Sequence, residues 1–297
     1  MGAPENYADR LIDSQRDSDA SWLTGPRESD LSRNAALPSA TTAAEAQWAL
    51  PPGQMELVGN AIHVWRAGLD SLASALPDFA GLLSASERKR ADRFQFDRDR
   101  VRFIVRRGLL RQILARYLAC DPAEISFTYE ARGKPSLANL MERHSIHFNL
   151  SHSHGLALIA VARRHALGVD VERVRPMPEA DQIAAKFFST RENAILNALP
   201  SDLMLEGFFH CWTRKEAYLK ATGEGIADLL PEVEVSLTPG RAPELLKIAG
   251  DARAASFWTL HSLAPAPGFV GALAMKAKGS KPACWRWPEQ SDAVHSG

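Results

Sequence analysis

The sequence predicts an α+β fold made of two similar halves related by a pseudo-twofold, and three observations carry that prediction. Strand-like alternation of apolar and polar residues, as in Ile62-His63-Val64-Trp65-Arg66 and Val169-Asp170-Val171-Glu172, recurs in both parts of the chain. Each part also carries a long stretch with apolar residues at helical spacing. The first runs through Phe103, Leu110 and Ile113, the second through Leu205, Phe208, Phe209, Trp212 and Leu219. A break at residues 163 to 167 divides them, and each half runs from strands and a long helix into further strands.

At 297 residues the chain is long enough for two substantial cores. Its 35 Lys and Arg balance 35 Asp and Glu, so no global field draws it to nucleic acid or an anionic membrane, and any anion site must be local. Cys120, Cys211 and Cys284 are far apart and form no CxxC pair, which fits a reducing cytoplasm and small core residues. The first residues show no signal-peptide or myristoylation pattern, and the longest apolar runs are too short to span a bilayer. A soluble, cytoplasmic protein is expected.

Residues 1 to 50 are rich in Ser, Ala, Asp, Arg and Pro and read as a disordered or loosely attached tail. The N-terminal half, 51 to 165, opens with the strand at Ile62. Ser84 and Glu87 form a capping-box pattern, starting a helical region crowded with arginine from Arg88 to Arg111. Ile125 to Tyr129 alternates as a strand, and Arg132-Gly133-Lys134-Pro135 makes a turn whose proline fixes the backbone behind Lys134. His147 to Gly155 then leads into the strand Leu156 to Ala162. The C-terminal half, 166 to 277, begins with the strand Leu167 to Glu172 and continues with helices at Pro178 to Phe188 and Arg191 to Leu199. The second of these follows another capping-box pair, Ser189 and Glu192. Asp202 is placed to cap the long helix ending at Lys220, and Gly223 to stop it. Strands are expected at residues 233 to 237, 257 to 263 and 269 to 275. From Lys276 the chain turns polar, and 278 to 297 read as a C-terminal tail despite Trp285 and Trp287.

Three places carry chemistry. Glu216 falls one turn beyond Trp212, at the polar edge of an apolar face, where a half-desolvated carboxylate needs a cation, a metal or a proton. The simpler alternative is a surface pair with Lys220, worth about 0.2–0.5 kcal/mol. Asp170 and Glu172 would share one strand face about 7 Å apart and repel unless a metal, or Arg173 and Arg175, lies between them. The arginine-rich stretch is either a solvated helix face or a phosphate-binding patch, since Arg suits bidentate phosphate recognition.

Other chemistries fail. His147, His152 and His154, with Cys211 or His210, match no zinc spacing. Ser151 and His152 are strand neighbours that point to opposite faces, so with Asp170 they make no hydrolase triad. No P-loop, dinucleotide fingerprint or nucleic-acid signature occurs. Together Asp170, Glu172 and Glu216 make a hard-oxygen set suited to magnesium completed by substrate phosphates. Arg102, Arg107, Lys134, His152, Lys215 and Lys220 would suit the polyanion. Magnesium-assisted chemistry on a phosphate ester or pyrophosphate is what the residues alone support.

The same residues carry a resemblance. Gly168-Val169-Asp170-Val171-Glu172 followed by Trp212-Thr213-Arg214-Lys215-Glu216-Ala217-Tyr218-Leu219-Lys220 is similar to the paired signature of the 4′-phosphopantetheinyl transferase superfamily. Gly133-Lys134-Pro135 and Phe148-Asn149-Leu150-Ser151-His152-Ser153 resemble its two upstream motifs, in the same order. The resemblance covers roughly residues 60 to 275 and is strongest to the surfactin-synthetase-activating type, a monomer whose two α+β halves hold coenzyme A between them.

The resemblance implies that Asp170, Glu172 and Glu216 bind Mg2+, and that Lys134, Pro135, Ser151 and His152 hold the nucleotide end of coenzyme A. Arg102 and Arg107 would also contact it, and Lys215 and Lys220 would flank the catalytic acid. The implied reaction is attack by a carrier-protein serine hydroxyl on the β-phosphate, releasing adenosine 3′,5′-bisphosphate, with Glu216, or a metal-bound water it orients, taking the proton. Fatty-acid, polyketide and nonribosomal-peptide carriers are all possible acceptors. The alternative is a magnesium-dependent phosphodiesterase or pyrophosphatase using the same acids with water as nucleophile.

Overall fold

The structure, a computed structural model, describes residues 47–129, 134–138, 145–223, 227–279 and 281–288. The expected N-terminal tail lies outside these residues except for 47–50, as do Arg132 and Gly133 of the expected turn.

Alternation does build the strands. In β1 (Ile62–Gly68), Ile62 and Val64 point to one side and Trp65 and Ala67 to the other, and both sides are buried. β1 pairs antiparallel with β5 (Leu156–Arg163), and β5 with β4 (Ile146–Ser153). The second sheet has the order β6 (Leu167–Arg173), β10 (Phe269–Met275), β9 (Thr259–Leu263), all antiparallel. Two ribbons complete the strands: β2 (Phe127–Tyr129) with β3 (Pro135–Leu137), and β7 (Val233–Val235) with β8 (Leu245–Ile248).

Helices cover the outer faces. α1 (Leu76–Leu82) and α2 (Ala85–Ala91) precede the long α3 (Asp97–Leu118). Phe103, Leu109, Leu110 and Ile113 of α3 join Trp65, Ile159 and Val161 in one core. A Cβ at Gly108 would lie 2.7 Å from the Cβ of Phe79, so α1 crosses α3 where no side chain fits. On the other sheet, α4 (Ala180–Phe187), α5 (Thr190–Asn197) and the long α6 (Ser201–Thr222) bury Phe187, Leu196, Phe208, Trp212 and Leu219 against Val270, Ala272 and Ala274. The inner faces of the two sheets meet in a third core, where Ile62, Val64, Leu158 and Ala160 contact Val169, Val171 and Leu273. The molecule is therefore α+β in layers of helix, sheet, sheet and helix.

Both capping boxes form: Ser84 and Glu87 at α2, Ser189 and Glu192 at α5. Gly223 ends α6 in the left-handed conformation, at φ 73°. Asp202, expected as a cap, lies in the first turn of α6 behind an N-cap at Pro200. The helical region after Ser84 breaks between α2 and α3, where Phe94 folds back onto Phe103. The clearest correction is at the C-terminal end. Within the expected tail, Pro282–Arg286 forms β11, which pairs parallel with β1 as the outer strand of the first sheet. At the N-terminal end, Trp48 is buried and donates to the Ala264 carbonyl at 2.8 Å, and Ala49 bridges to Trp285, so residues 48 and 49 belong to the folded body.

Candidate active site

The neighbouring strands β4 and β6 and the helix α6 bring the signalled acids together. Along β4, Asn149, Ser151 and Ser153 alternate with the core residues Phe148 and Leu150, so their short polar side chains point one way. Asn149 Oδ1 accepts from Val169 N–H at 2.8 Å, Ser151 Oγ–H donates to Asp170 Oδ1 at 2.8 Å, and Ser153 Oγ–H donates to Glu172 Oε2 at 2.8 Å. This ladder of side chains fixes β6, and with it both carboxylates, against the first sheet. α6 lies directly over β6: a Cβ on Gly168 would fall 2.1 Å from the Ala217 carbonyl oxygen.

That crossing sets Glu216 and Lys220 beside the β6 acids. Lys220 Nζ donates to Asp170 Oδ1 at 2.6 Å and to Ser151 Oγ at 3.1 Å. Asp170, Glu172 and Glu216 are all buried, and Asp170 Oδ2 has no hydrogen-bond partner. Burial, and then the charge of Asp170, push Glu216 up to about 8 and Glu172 up to about 7. The surface-pair alternative for Glu216 is removed: Glu216 is buried, and Lys220 Nζ bonds Asp170 Oδ1 inside the same cluster. Arg175 Nη1 lies 3.7 Å from Glu172 Oε2, so one of the two arginines considered does approach the strand acids.

A divalent cation suits this donor set. Three oxygen acids, two of them held towards neutrality by burial and by the charge of Asp170, and one with an orphaned buried oxygen, gain from added positive charge. Among the described residues, no group of three His, Cys, Asp or Glu side chains is already arranged around a metal position.

The remaining expected residues divide. Lys134 Nζ reaches the C-terminal end of α6, donating to the Lys220 carbonyl at 2.6 Å. Pro135 starts β3 beside it, pairing with Tyr129. His152 is exposed on β4, on the side opposite Ser151. Arg102 makes a bidentate pair with Asp70, at 2.7 and 2.6 Å, against the Gly155 turn that follows β4. Arg107 is buried, bonded to the Tyr129 hydroxyl and 3.4 Å from Glu87, and among the described contacts none joins it to the acids. Lys215 corrects the sequence expectation outright. It is completely buried on the far side of α6, 2.6 Å from Glu192 Oε2, and does not face the acids. Asn149 and Ser153 went unassigned in the sequence, although the polar period of two inside an otherwise apolar strand was visible there.

An α+β molecule with three buried acids and a lysine gathered where two sheets meet has the attributes of an enzyme's active site. Comparison with known proteins makes the class specific. The model of the 4′-phosphopantetheinyl transferase superfamily matches residues 166–274, and that of the 4′-phosphopantetheinyl transferase N-terminal region matches residues 65–164. The chain is 41% identical over 240 residues to the 4′-phosphopantetheinyl transferase HetI of Nostoc sp., covering 81% of this chain and 98% of that one. It is 32% identical over 213 residues to a phosphopantetheinyl transferase of Thraustochytrium sp., covering 67% of this chain and 72% of that one. To the 4′-phosphopantetheinyl transferase Sfp of Bacillus subtilis it is 31% identical over 159 residues, 54% of this chain and 68% of that one. The chain belongs to the 4′-phosphopantetheinyl transferase superfamily.

Proposed function

We propose that the protein transfers the 4′-phosphopantetheine group of coenzyme A to a serine hydroxyl of an acyl or peptidyl carrier protein. The observation that supports this most directly is the meeting of Asp170 and Glu172 from β6, Glu216 and Lys220 from α6 and Ser151 from β4 in one buried cluster. In the reaction the serine Oγ bonds to the β-phosphorus, the bond to the bridging pyrophosphate oxygen breaks, and adenosine 3′,5′-bisphosphate leaves.

Asp170, Glu172 and Glu216 would hold the magnesium ion, which when bound neutralises charge on the pyrophosphate. Glu216, a buried carboxyl beside Asp170, is the acceptor of the serine proton. Lys220 keeps an ammonium beside the acids, fixed by Ser151 and Asp170, where it offsets charge on the departing phosphate. By the resemblance Lys134, Ser151 and His152 would hold the nucleotide end of coenzyme A, and Lys134 also donates to the Lys220 carbonyl at the end of α6.

The test is mass spectrometry of a panel of apo carrier proteins incubated with enzyme, magnesium and coenzyme A. The expected result is one added phosphopantetheine on a serine, no transfer by Glu216→Gln, and an unchanged circular dichroism spectrum for that variant. Near-normal labelling by Glu216→Gln would sink the assignment of the base. Steady hydrolysis of coenzyme A with no acceptor present would instead favour the pyrophosphatase reading.

A further inference from the structure

Lys215 adjoins Glu216 in the chain, yet its ammonium is placed where no substrate reaches. Its three donor positions are filled inside the second core: Glu192 Oε2 at 2.6 Å, the Leu230 carbonyl at 2.7 Å and the Phe187 carbonyl at 3.1 Å. The partner carboxylate is equally committed. Glu192 Oε2 also accepts from Ser189 N–H at 2.7 Å, closing the α5 capping box, and Glu192 Oε1 accepts from Val235 N–H at 2.8 Å. Lys215 is 0% exposed and Glu192 1%, so the pair is a saturated, dry junction tying the end of α4, the start of α5, the segment before β7 and β7 itself to a single point on α6.

We infer that the Lys215–Glu192 junction sets the rotation of α6 and so positions Glu216 and Lys220 against Asp170. Successive helical residues are about 100° apart, so a clamp on Lys215 fixes the direction in which Glu216 leaves the helix. Lys220, four residues after Glu216, shares that adjoining face. The opposite side of the same helix is held by the close crossing over Gly168. Lys215 is therefore a positioning residue of the proposed transfer reaction, and the inference rests on that reading for its readout. A buried charge pair need not stabilise more than an apolar pair would, whereas it does specify one geometry when every donor and acceptor is satisfied.

The experiment compares wild type, Lys215→Met, Glu192→Gln and the double variant, each at a temperature where circular dichroism shows it folded. The double variant removes both charges together, leaving neither buried alone, and its glutamine oxygen still accepts from one of the two N–H groups, Ser189 or Val235, so it is the form expected to fold best without the pair. Positioning predicts that kcat falls about 100-fold in both single variants and stays low in the folded double variant. KM for coenzyme A should move no more than about threefold. If Lys215→Met cannot be folded, Glu192→Gln, which touches no proposed ligand, carries the test alone. Two results overturn the inference. One is a loss of coenzyme A binding of about tenfold or more in Lys215→Met with normal binding by Glu192→Gln, which makes Lys215 a phosphate ligand. The other is wild-type kcat in the folded double variant, or in Glu192→Gln, which makes the pair merely structural. A wild-type protein that neither binds coenzyme A nor modifies any carrier sinks the proposed function instead, and the inference with it.

Discussion

His63 is buried in β1, where its Nδ1 lies 2.9 Å from the Tyr117 hydroxyl, which also accepts from Trp65 Nε1 at 2.8 Å. Burial depresses its imidazole from 6.5 to about 4. In the unfolded chain the ring takes a proton as pH falls below 6.5, while in the native state it stays neutral until about 4. The unfolded state binds more protons throughout that window, so stability declines as pH falls through it and is unaffected by this group above it. Urea denaturation of wild type and His63→Phe at pH 7.5 and pH 4.5 should therefore show a smaller acid-induced loss in the variant. An equal loss in both would show that the histidine is not held neutral. At this scale the acids were legible because their residue types and spacing announce a hard-oxygen site. Lys215 was misjudged because a residue's neighbours in sequence do not say which way a helix faces; its partner Glu192 was read only as half of a capping box, and a capping box does not disclose a buried cation.

Elements follow the same division. The two capping boxes and Gly223 act through neighbours in sequence, and each occurs as its local pattern required. The break between α2 and α3 and the ribbon strand β8 depend on contacts made across the fold, and their sequences carry weaker local signals. Gly168 is the sharpest case of a residue whose necessity comes from another element. Its role in the signature is explained by α6, whose backbone at Ala217 and Ala221 would lie 2.1 and 2.4 Å from an added Cβ. No rotamer relieves a clash between a Cβ and a main chain, so Gly168→Ala must push α6 off β6. The expected cost is about 3 kcal/mol, at the upper end for overpacking, measured by chemical denaturation. Because the displaced helix carries Glu216 and Lys220, transfer activity should fall even at temperatures where the variant is folded. A variant with wild-type stability would show that the two elements are not in this register.

Across the whole molecule the informative surprise is that the chain closes on itself. β11 lies beside β1, the first strand of the sheet, and Trp287 N–H donates to the Arg66 carbonyl at 2.8 Å. Cys284 reaches the core between the sheets, while Trp285 and Trp287 pack against the core beneath α3. Arg116 of α3 stacks on Trp287 and Trp65 at 5.1 and 5.5 Å. The polar run from Lys276 to Lys281 concealed this strand, whose partner lies at the opposite end of the sequence, where composition along the chain cannot point to it. The pairing has a consequence that a tail would not. Without β11, β1 becomes a bare edge with open N–H and C=O groups, and Trp65 loses its cover, so truncation after residue 281 exposes both an aggregation-prone edge and apolar surface. Such a truncated protein should melt several degrees lower, by roughly 4 °C or more, and scatter light on heating. The acids lie on the other sheet, so whatever fraction stays folded at low temperature should retain transfer activity. An unchanged melting temperature would mean that β11 adds nothing to the first sheet, and loss of activity in folded material would mean that the closure also holds the two sheets in their working arrangement.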